Sequence, residues 1–192
     1  MPIVLGSGSP RRRELLTQLG LEFHVVAPDI DESVRAGEAP VSYVHRLAVE
    51  KAHAVRAATA GDTLVIAADT TVDLGGEILG KPESLGEARD MLSRLSARTH
   101  RVHTGIALCR DDRTLSEVST SLVTFAPLSP EIVEWYLTTG EPFDKAGGYA
   151  IQGAGAVLVQ RVRGSVSGII GLPVHAVARL AAELGVDLLT AR

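Results

Sequence analysis

The stretch Ile3-Val4-Leu5-Gly6-Ser7-Gly8-Ser9-Pro10-Arg11-Arg12-Arg13 indicates how the fold begins. Ile3-Val4-Leu5 is a short apolar run typical of a buried strand, and the residues from Gly6 to Ser9 form a turn of small side chains. A helix is predicted from Pro10 to Leu19, because Ser9 is a favourable N-cap and proline suits the first helical position. A strand, a small turn and a helix in succession are typical of α/β proteins.

The remaining sequence continues this alternation. Strands are predicted at Phe23 to Val26, Thr63 to Ala68, Thr99 to Cys109 and Thr114 to Phe125, with a hairpin from Thr71 to Leu79 that turns at Gly75-Gly76. Helices are predicted from Ser42 to Ala58, from a capping box at Ser84 and Glu87 to Ser96, from Pro130 to before Gly140, and from Pro173 to Leu184. Loops and strands are expected between Gly140 and Leu172. No repeat or linker divides the sequence, so residues 1–192 are expected to form a single α/β domain with a mixed sheet flanked by helices.

The composition excludes several classes of protein. A chain of 192 residues with 45% hydrophobic and 22% charged residues can bury a core, unlike a disordered chain. A net charge of -4 argues against general nucleic-acid binding, so any anion site must be local. The single cysteine, Cys109, is expected to be a buried thiol. No signal peptide and no apolar run of membrane-spanning length is evident, so a cytoplasmic protein with no membrane partner is expected.

Three consecutive arginines stand in the first turn of the first helix. The helix dipole already places partial positive charge there, so Arg11, Arg12 and Arg13 are not explained by helix stability. The same turn offers unpaired backbone N–H groups, and together with Gly6-Ser7-Gly8-Ser9 they form a chemically sound phosphate site. The alternative is a solvated basic turn.

Two segments partly match nucleotide-binding motifs, but each lacks a required residue. Gly75 to Lys81 has the spacing of a Walker loop, but Pro82 stands where Ser or Thr is required. Gly6-Ser7-Gly8 begins a dinucleotide fingerprint, but Arg11 occupies the position of its third glycine. A Walker ATPase and a Rossmann dehydrogenase are therefore both disfavoured.

Asp69 is the strongest catalytic candidate. It follows the apolar run Thr63 to Ala68, which is expected to place it at the carboxyl end of a strand, where α/β sheets bind ligands. A carboxylate there can accept a proton from an attacking water or hold a divalent ion. The alternative is an aspartate that caps a turn.

Other charged residues are weaker candidates. Lys51 lies on the flank of an apolar helical stripe, where it either faces an anion or covers the edge of the core. Lys81 is either aimed by the turn before Pro82 or a plain surface lysine. Asp31 and Glu32 could supply oxygen ligands to Mg²⁺, or simply form an acidic loop. His100 and His103 are three apart on a strand and so face opposite sides, which disfavours a histidine metal site.

Taken together, these motifs resemble the Maf family, also called septum-formation-inhibitor-like proteins. The resemblance covers most of the chain in five ordered blocks: Leu5 to Leu16, Arg46 to Ala52, Ala67 to Thr70 with Gly80-Lys81-Pro82, Thr99 to Gly105, and Asp144 to Gly153 with Gly171-Leu172-Pro173. It implies a fold related to inosine-triphosphate pyrophosphatases, with two lobes around a cleft. The chain departs from the family pattern at Val166 and Gly168, where Tyr and Asn are frequent, and at Ala97, where glycine is frequent.

The resemblance also implies an activity and a set of roles. The activity is hydrolysis of a nucleoside triphosphate to the monophosphate and pyrophosphate with a divalent cation, Mg²⁺ or Mn²⁺, in an enzyme that is often a homodimer. By motif position, Asp69 is the implied proton acceptor and, with Glu32, lies in the implied metal site. The implied phosphate contacts are Ser7, Arg11, Lys51 and Lys81. The positions implied to divide the family by base are Arg12, Thr70 and Gln152, and their identities resemble the branch that acts on dTTP and UTP.

Gln152 has a chemical reason to favour uracil and thymine. Its amide can donate to O4 while its carbonyl accepts from N3–H, but an amide flip would accommodate cytosine, so the choice depends on what orients the side chain. Two other functions stay open: a nucleotide-binding regulator of cell division, and a pyrophosphatase for a modified purine such as 7-methyl-GTP. The identities at the three base-preference positions argue against the purine.

Overall fold

The structure is a computed structural model and describes residues 1–190. Its seven strands are β1 (Ile3–Gly6), β2 (His24–Val25), β3 (Leu64–Leu74), β4 (Glu77–Leu79), β5 (Thr99–Arg110), β6 (Arg113–Phe125) and β7 (Val159–Arg163). Its helices are α1 (Pro10–Gln18), α2 (Pro40–Ala57), α3 (Leu85–Leu95), α4 (Pro130–Thr138), α5 (Val166–Ile170) and α6 (Val174–Glu183). Three short 3-10 helices, at Glu141–Asp144, Ala146–Gly148 and Gly153–Leu158, precede β7.

All seven strands belong to one mixed sheet in the order β2-β1-β3-β5-β6-β7, with β4 paired to β3. β1 runs parallel to β2 and β3, whereas the pairs from β3 through β7 are antiparallel. The expected α/β class with a mixed sheet flanked by helices is therefore confirmed.

The helices cover the two faces of the sheet unequally. On one face α2 alone packs its alanine-rich stripe, including Ala48 and Ala52, against Val65 and Ala107. On the other face α1 and α6 pack over the β1 side of the sheet. Helices α3 and α4 pack over the outer side of that same face, around Phe125. Two hydrophobic clusters thus lie side by side on one face, and a third lies beneath α2.

The geometry of β3 opens a gap in the sheet. β5 pairs with β3 along one edge from Val65 to Asp73. On the opposite edge β1 pairs as far as Ala67, and β4 pairs only from Val72 onward. Residues 68–71 of β3 consequently have no neighbouring strand on that edge. A side chain on these residues can reach a ligand that lies between the ends of β1 and β4.

The expectation that Asp69 ends a strand is wrong. β3 continues through Asp69 to Leu74, because β-branched residues follow it and the long strand β5 supplies an unbroken hydrogen-bonding partner. Asp69 pairs in register with Gly105 in the middle of the sheet. It lies beside the gap because β1 ends beside Ala67, not because β3 ends.

Most of the other predicted elements are confirmed within a residue or two, including the hairpin turn at Gly75-Gly76 and the capping box of α3. β2 is shorter than expected, and helix α5 lies in a segment for which only loop and strand were predicted. Ser9 occupies the N-cap position of α1, but its hydroxyl makes no capping hydrogen bond. Among residues 1–190, no helix is both long and apolar enough to cross a membrane.

Candidate active site

A cleft of about 890 Å³ opens at the gap in the sheet. Its walls come from the turn after β1, the loop before α2, the middle of β3, the segment after β4 and the segment after α4. Every residue that sequence reasoning placed in the site lines this cleft: Ser7, Arg11, Arg12, Glu32, Lys51, Asp69, Thr70, Lys81 and Gln152. Asp31 is exposed and is absent from the lining, which separates it from its neighbour Glu32.

The three arginines of α1 point in different directions. Arg13 is exposed and lies outside the cleft, as the solvated alternative expects. Arg11 lines the cleft and donates to Asp144, with Nη1 lying 2.9 Å from Oδ2. Arg12 is buried, and that burial is the main cause of a lowered guanidinium pKa, against which the charge of Asp69 acts. Only the first two arginines therefore face the site.

Arg12 ties together three segments of the chain. Its Nη1 donates to the Ser7 hydroxyl at 3.0 Å, its Nη2 to the Thr70 hydroxyl at 3.1 Å, and its Nε to the carbonyl oxygen of Gly171 at 2.8 Å. A lysine at this position could not make the same fork of contacts, because a guanidinium presents donors in a planar array. Arg12 thus sets the position of two predicted substrate contacts, Ser7 and Thr70.

The hydroxyl of Thr70 continues a hydrogen-bonded chain into the core. Thr70 Oγ1 lies 2.9 Å from Thr104 Oγ1, which itself donates to the carbonyl oxygen of Gly168 at 2.7 Å. Because the Thr104 proton is committed to that carbonyl, Thr70 donates to Thr104 and accepts from Arg12. The orientation of the Thr70 hydroxyl is therefore fixed by its partners.

Lys51 lies between two carboxylates at the base of the cleft. Its Nζ is 2.7 Å from Oδ1 of Asp69 and 2.9 Å from Oε1 of Glu32. The lysine and Asp69 are almost entirely buried, whereas half of the Glu32 side chain is exposed. A buried lysine and aspartate need each other, because an unpaired charge in this position would lack both water and a counter-ion. The alternative in which Lys51 merely covers the core edge is wrong, since its ammonium group faces the cleft.

The loop that carries Glu32 is held by α2. Tyr43 donates from its hydroxyl to the Glu32 carbonyl oxygen at 3.0 Å, and Arg46 Nη2 donates to the Ser33 carbonyl oxygen at 3.0 Å. Arg46 also forms a bidentate pair with Glu38, which lowers the pKa of that carboxyl to about 2. These contacts hold the acidic loop over Lys51.

Lys81 and Gln152 lie at the other side of the cleft, and both are exposed. The segment before Lys81 is fastened by a hydrogen bond from the Gly147 N–H to the Gly80 carbonyl oxygen at 2.9 Å. Within residues 1–190, neither side chain makes a hydrogen bond to another protein group, so both are free to contact a ligand.

Sequence reasoning missed several residues beside the site. Asp144 accepts from Arg11 and from Lys145, and both Asp144 and Lys145 line the cleft. They belong to the block Asp144 to Gly153, where their charge was the available signal. Thr104 lies in the block Thr99 to Gly105 but had no assigned role, because the role of a buried hydroxyl is identified only by its partners.

The carboxylates fit a divalent cation that is shared with a substrate. Mg²⁺ is commonly bound by one or two carboxylates together with phosphate oxygens and water, and Glu32 and Asp69 meet that requirement. Asp69 uses Oδ1 for Lys51 and has no hydrogen bond at Oδ2 within the described residues. No group of three or more His, Cys, Asp or Glu side chains suited to a metal occurs in residues 1–190.

His100 and His103 belong to the core. His100 packs edge-on against Phe125 and Tyr149, and its burial lowers the pKa of the imidazole to about 4. His103 lies on the opposite face of β5, 3.1 Å from Asp73. The expectation that the two histidines face opposite sides is confirmed. Cys109 is buried as expected.

Matches to a family model and to known protein sequences agree with the motifs. A family model described as "Maf-like protein" matches residues 2–184. A protein of Myxococcus xanthus called "dTTP/UTP pyrophosphatase" is 54% identical, and the match covers 97% of this chain and 94% of that protein. A protein of the same name from Symbiobacterium thermophilum is 45% identical, covering 98% and 96%. The structure of the Staphylococcus aureus Ham1 protein aligns with a TM-score of 0.47 and 20% identity over 66% of this chain and 72% of that one.

Proposed function

The chain belongs to the Maf-like family, and we propose that it hydrolyses dTTP and UTP to the nucleoside monophosphate and pyrophosphate. The observation that carries the proposal is Lys51, whose ammonium group joins Asp69 and Glu32 in a cleft that is also lined by cations. These cations are Arg11, Arg12, Lys81 and Lys145. A site for several negative charges and a carboxylate beside the reacting phosphorus both suit phosphoanhydride hydrolysis.

The phosphates would bind between the first turn of α1 and Lys81. The first turn of α1 contains no acidic residue, and its N–H groups have no side-chain cap, which leaves them available to an anion. Arg11 is already in the cleft, although Asp144 now occupies its guanidinium. A triphosphate would compete with Asp144 for Arg11, because both offer anionic oxygens to the same donors.

The chemical step is assigned to Asp69. A water molecule attacks the α-phosphorus, the bond from that phosphorus to the bridging oxygen breaks, and pyrophosphate leaves with the electron pair. Asp69 accepts the proton that the water loses, through the carboxylate oxygen that Lys51 does not use. Lys51 holds this carboxylate in place and offsets negative charge that develops at the phosphate.

A divalent cation is part of the proposal. Glu32 and Asp69 would hold it together with phosphate oxygens, and it would neutralise phosphate charge and polarise the phosphorus–oxygen bond. Glu32 is suited to this role because half of its side chain is exposed to the cleft. Its loop is fastened by Tyr43 and Arg46, so the carboxylate does not have to be ordered when the ion binds.

Base recognition is assigned to Arg12, Thr70 and Gln152. Arg12 and Thr70 act through their mutual hydrogen bond, which orients the threonine hydroxyl at the cleft wall. Gln152 would read O4 and N3–H of uracil or thymine with its amide. Modified pyrimidine nucleotides that keep this edge would also be accepted, which fits a house-cleaning role.

Product analysis tests the proposal. Purified protein is incubated with dTTP, UTP, CTP, GTP and 7-methyl-GTP in Mg²⁺ or Mn²⁺, and the products are separated by ion exchange. We expect dTMP and UMP with an equal amount of pyrophosphate, and no turnover after chelation of the metal. A diphosphate with inorganic phosphate would refute the cleavage position. Binding without product would favour a regulator, and preference for 7-methyl-GTP would refute the pyrimidine assignment.

Location and assembly complete the proposal. We expect the protein in the cytoplasm, where its proposed substrates are used, and as a homodimer with no nucleic-acid partner. Sedimentation at several protein concentrations tests the dimer, and fractionation of cells tests the location.

A further inference from the structure

The loop that carries Gln152 is fastened at both ends by one pair of side chains. We call residues 150–155 the base loop. Glu141 accepts hydrogen bonds from the Ala154 N–H at 2.8 Å and from the Gly155 N–H at 3.0 Å, one on each carboxylate oxygen. These two donors lie two and three residues after Gln152, so Glu141 sets the path of the chain as it leaves that residue.

The other end of the base loop is held by Tyr136. The hydroxyl of this buried residue accepts from the Ala150 N–H at 3.1 Å and donates to Oε2 of Glu141 at 3.1 Å. Tyr136 and Glu141 therefore act as a unit that contacts the loop before and after Gln152. Burial raises the pKa of the Tyr136 hydroxyl, which keeps it protonated and able to donate.

The charge of Glu141 strengthens this attachment. Burial by itself would raise the pKa of the carboxyl, but the N–H groups of Ala154 and Gly155 and the Tyr136 hydroxyl outweigh burial, and the pKa is lowered. The side chain is thus ionised at neutral pH, and hydrogen bonds to an ionised acceptor are roughly twice as strong as neutral ones.

Two glycines, Gly153 and Gly155, allow the base loop to lie close to Glu141 and Tyr136. Gly153 has a φ of +76°, and a Cβ built on it would lie 2.3 Å from Oε1 of Glu141. A Cβ on Gly155 would lie 2.2 Å from the Ala150 carbonyl oxygen and 2.8 Å from the Tyr136 hydroxyl. The base loop has no room for a side chain at either position. Its conformation depends on contact with the Tyr136–Glu141 pair.

Gln152 itself is not oriented by a side-chain partner. Its amide makes no hydrogen bond within the described residues, and it is exposed in the cleft. An amide that turns freely could present its carbonyl or its NH₂ group to either edge pattern, and would not separate uracil from cytosine. The part of the base preference that Gln152 supplies must therefore come from where the backbone places the residue.

We propose that Tyr136 and Glu141 are positioning residues that set pyrimidine selectivity by fixing the backbone on both sides of Gln152. This inference rests on the proposed function and concerns its base preference. Neither Tyr136 nor Glu141 lines the cleft, so both would act through the base loop. Loss of the pair lets the base loop take other conformations, so that Gln152 accepts cytosine as readily as uracil.

Two variants test the proposal. Tyr136→Phe keeps the buried ring and removes both of its hydrogen bonds. Glu141→Gln keeps the shape of the side chain, but places an NH₂ group against one backbone N–H. The control is Glu134→Gln. Glu134 lies on α4, as Tyr136 does, and pairs on the surface with Arg89. kcat/KM is measured for dTTP, UTP and CTP, and the affinities for dTMP and dCMP are measured by calorimetry.

We expect the wild type and Glu134→Gln to prefer dTTP over CTP and dTMP over dCMP. In Tyr136→Phe and Glu141→Gln both preferences should fall by about tenfold, which corresponds to about 1.4 kcal/mol. A purely structural role would lower kcat/KM for all three nucleotides equally and leave the ratios unchanged, which would overturn the inference. A wild type that prefers dTMP but releases no pyrophosphate would refute the proposed function. The inference would then be tested by the ratio of the dTMP and dCMP affinities in the wild type and the variants. A wild type without base preference would overturn the inference directly.

Discussion

The ammonium group of Lys51 lies 2.7 Å from Oδ1 of Asp69, and both side chains are almost completely buried. One belongs to α2 and the other to β3, so the pair joins a helix to the sheet beneath it. It leaves the second oxygen of Asp69 available to the cleft.

Asp69→Asn should reduce kcat/KM for dTTP at least ~100-fold, since an amide cannot accept the proton of the attacking water. The variant keeps the volume of the side chain, so its circular dichroism spectrum should match that of the wild type. Asp112→Asn is the matched control, because Asp112 is exposed at the tip of the β5–β6 hairpin. An unchanged rate in Asp69→Asn would rule out the proposed proton acceptor.

Arg11→Ala should raise the KM for dTTP by roughly 10- to 100-fold, which corresponds to the loss of a charged hydrogen bond to phosphate. Arg13→Ala removes the same group two residues along the helix, where it is exposed and outside the cleft. Its KM should stay within about twofold of the wild type. An equal rise in KM in the two variants would indicate that the arginines attract the triphosphate through their general positive charge, and not through a specific contact of Arg11 with a phosphate.

Because His100 is buried, the free energy of unfolding should fall as the pH is lowered. The pKa of His100 is about 4 in the folded protein and 6.5 ordinarily, so the unfolded chain binds the proton more readily. The stabilisation is complete above pH 6.5 and is lost as the pH falls toward 4. The loss amounts to about 3 kcal/mol.

Urea unfolding of the wild type and of His100→Gln at several pH values measures this effect. The free energy of unfolding of the variant should fall less between pH 6.5 and pH 4. His24→Gln, a change at an exposed histidine, serves as the control and should follow the wild type. If His100→Gln and the wild type show the same pH dependence, the buried imidazole is not the source.

Gly105→Ala should lower the free energy of unfolding by at least about 2 kcal/mol, because overpacking at a rigid contact forces the backbone apart. A Cβ on Gly105 would lie 2.2 Å from the Val44 carbonyl oxygen of α2. Gly105 is also the register partner of Asp69, so movement of α2 would carry Lys51 away from the carboxylate and reduce activity. Chemical unfolding and dTTP turnover measure the two effects.

The control for Gly105 is Gly86→Ala in the first turn of α3. A Cβ there meets only the Ser84 hydroxyl oxygen at 3.8 Å, which is an ordinary contact. This variant should be more stable than the wild type by roughly 0.5–1 kcal/mol, since alanine favours a helix over glycine. Tolerance of alanine at both positions would mean that α2 does not lie as close to the sheet as the structure has it.

Ala97→Gly should stabilise the protein by roughly 0.5–1 kcal/mol, because Ala97 has a φ of 55°, in the left-handed region that alanine rarely adopts. The change can be measured as a rise in the midpoint of thermal unfolding. Ala57→Gly, in the last turn of α2, should have the opposite sign. A destabilised Ala97→Gly would show that the strain is absent.

Local patterns in the sequence predicted much of the fold. The small-residue turn before α1, the Ser84–Glu87 capping box and the hairpin at Gly75-Gly76 depend on residues close together in the chain, and each was placed correctly. The end of the strand at Asp69 was not, because β3 is extended by pairing with β5, about 35 residues later in register, and the local sequence does not specify that pairing.

The family motifs named the residues of the site, and the cleft brings all of them together. They did not reveal how these residues are held. Arg11 meets Asp144 across 133 positions, and Arg12 meets Gly171 across 159. Such contacts follow from the order of strands in the sheet, which the side-chain pattern of a single strand does not specify.

The sequence alone specified the chemistry available to this protein: the anion-binding turn, the catalytic carboxylate candidate and the glutamine suited to a pyrimidine edge. Three-dimensional packing determined which of these groups meet and how each is oriented. Because of this packing, Lys51 pairs with two carboxylates, and Arg12 contacts Thr70 whereas Arg13 is exposed to solvent. The base loop is likewise held by Tyr136 and Glu141. The physical reason is that side-chain identity is local, whereas burial and pairing of charge depend on distant segments that come together only in the folded chain.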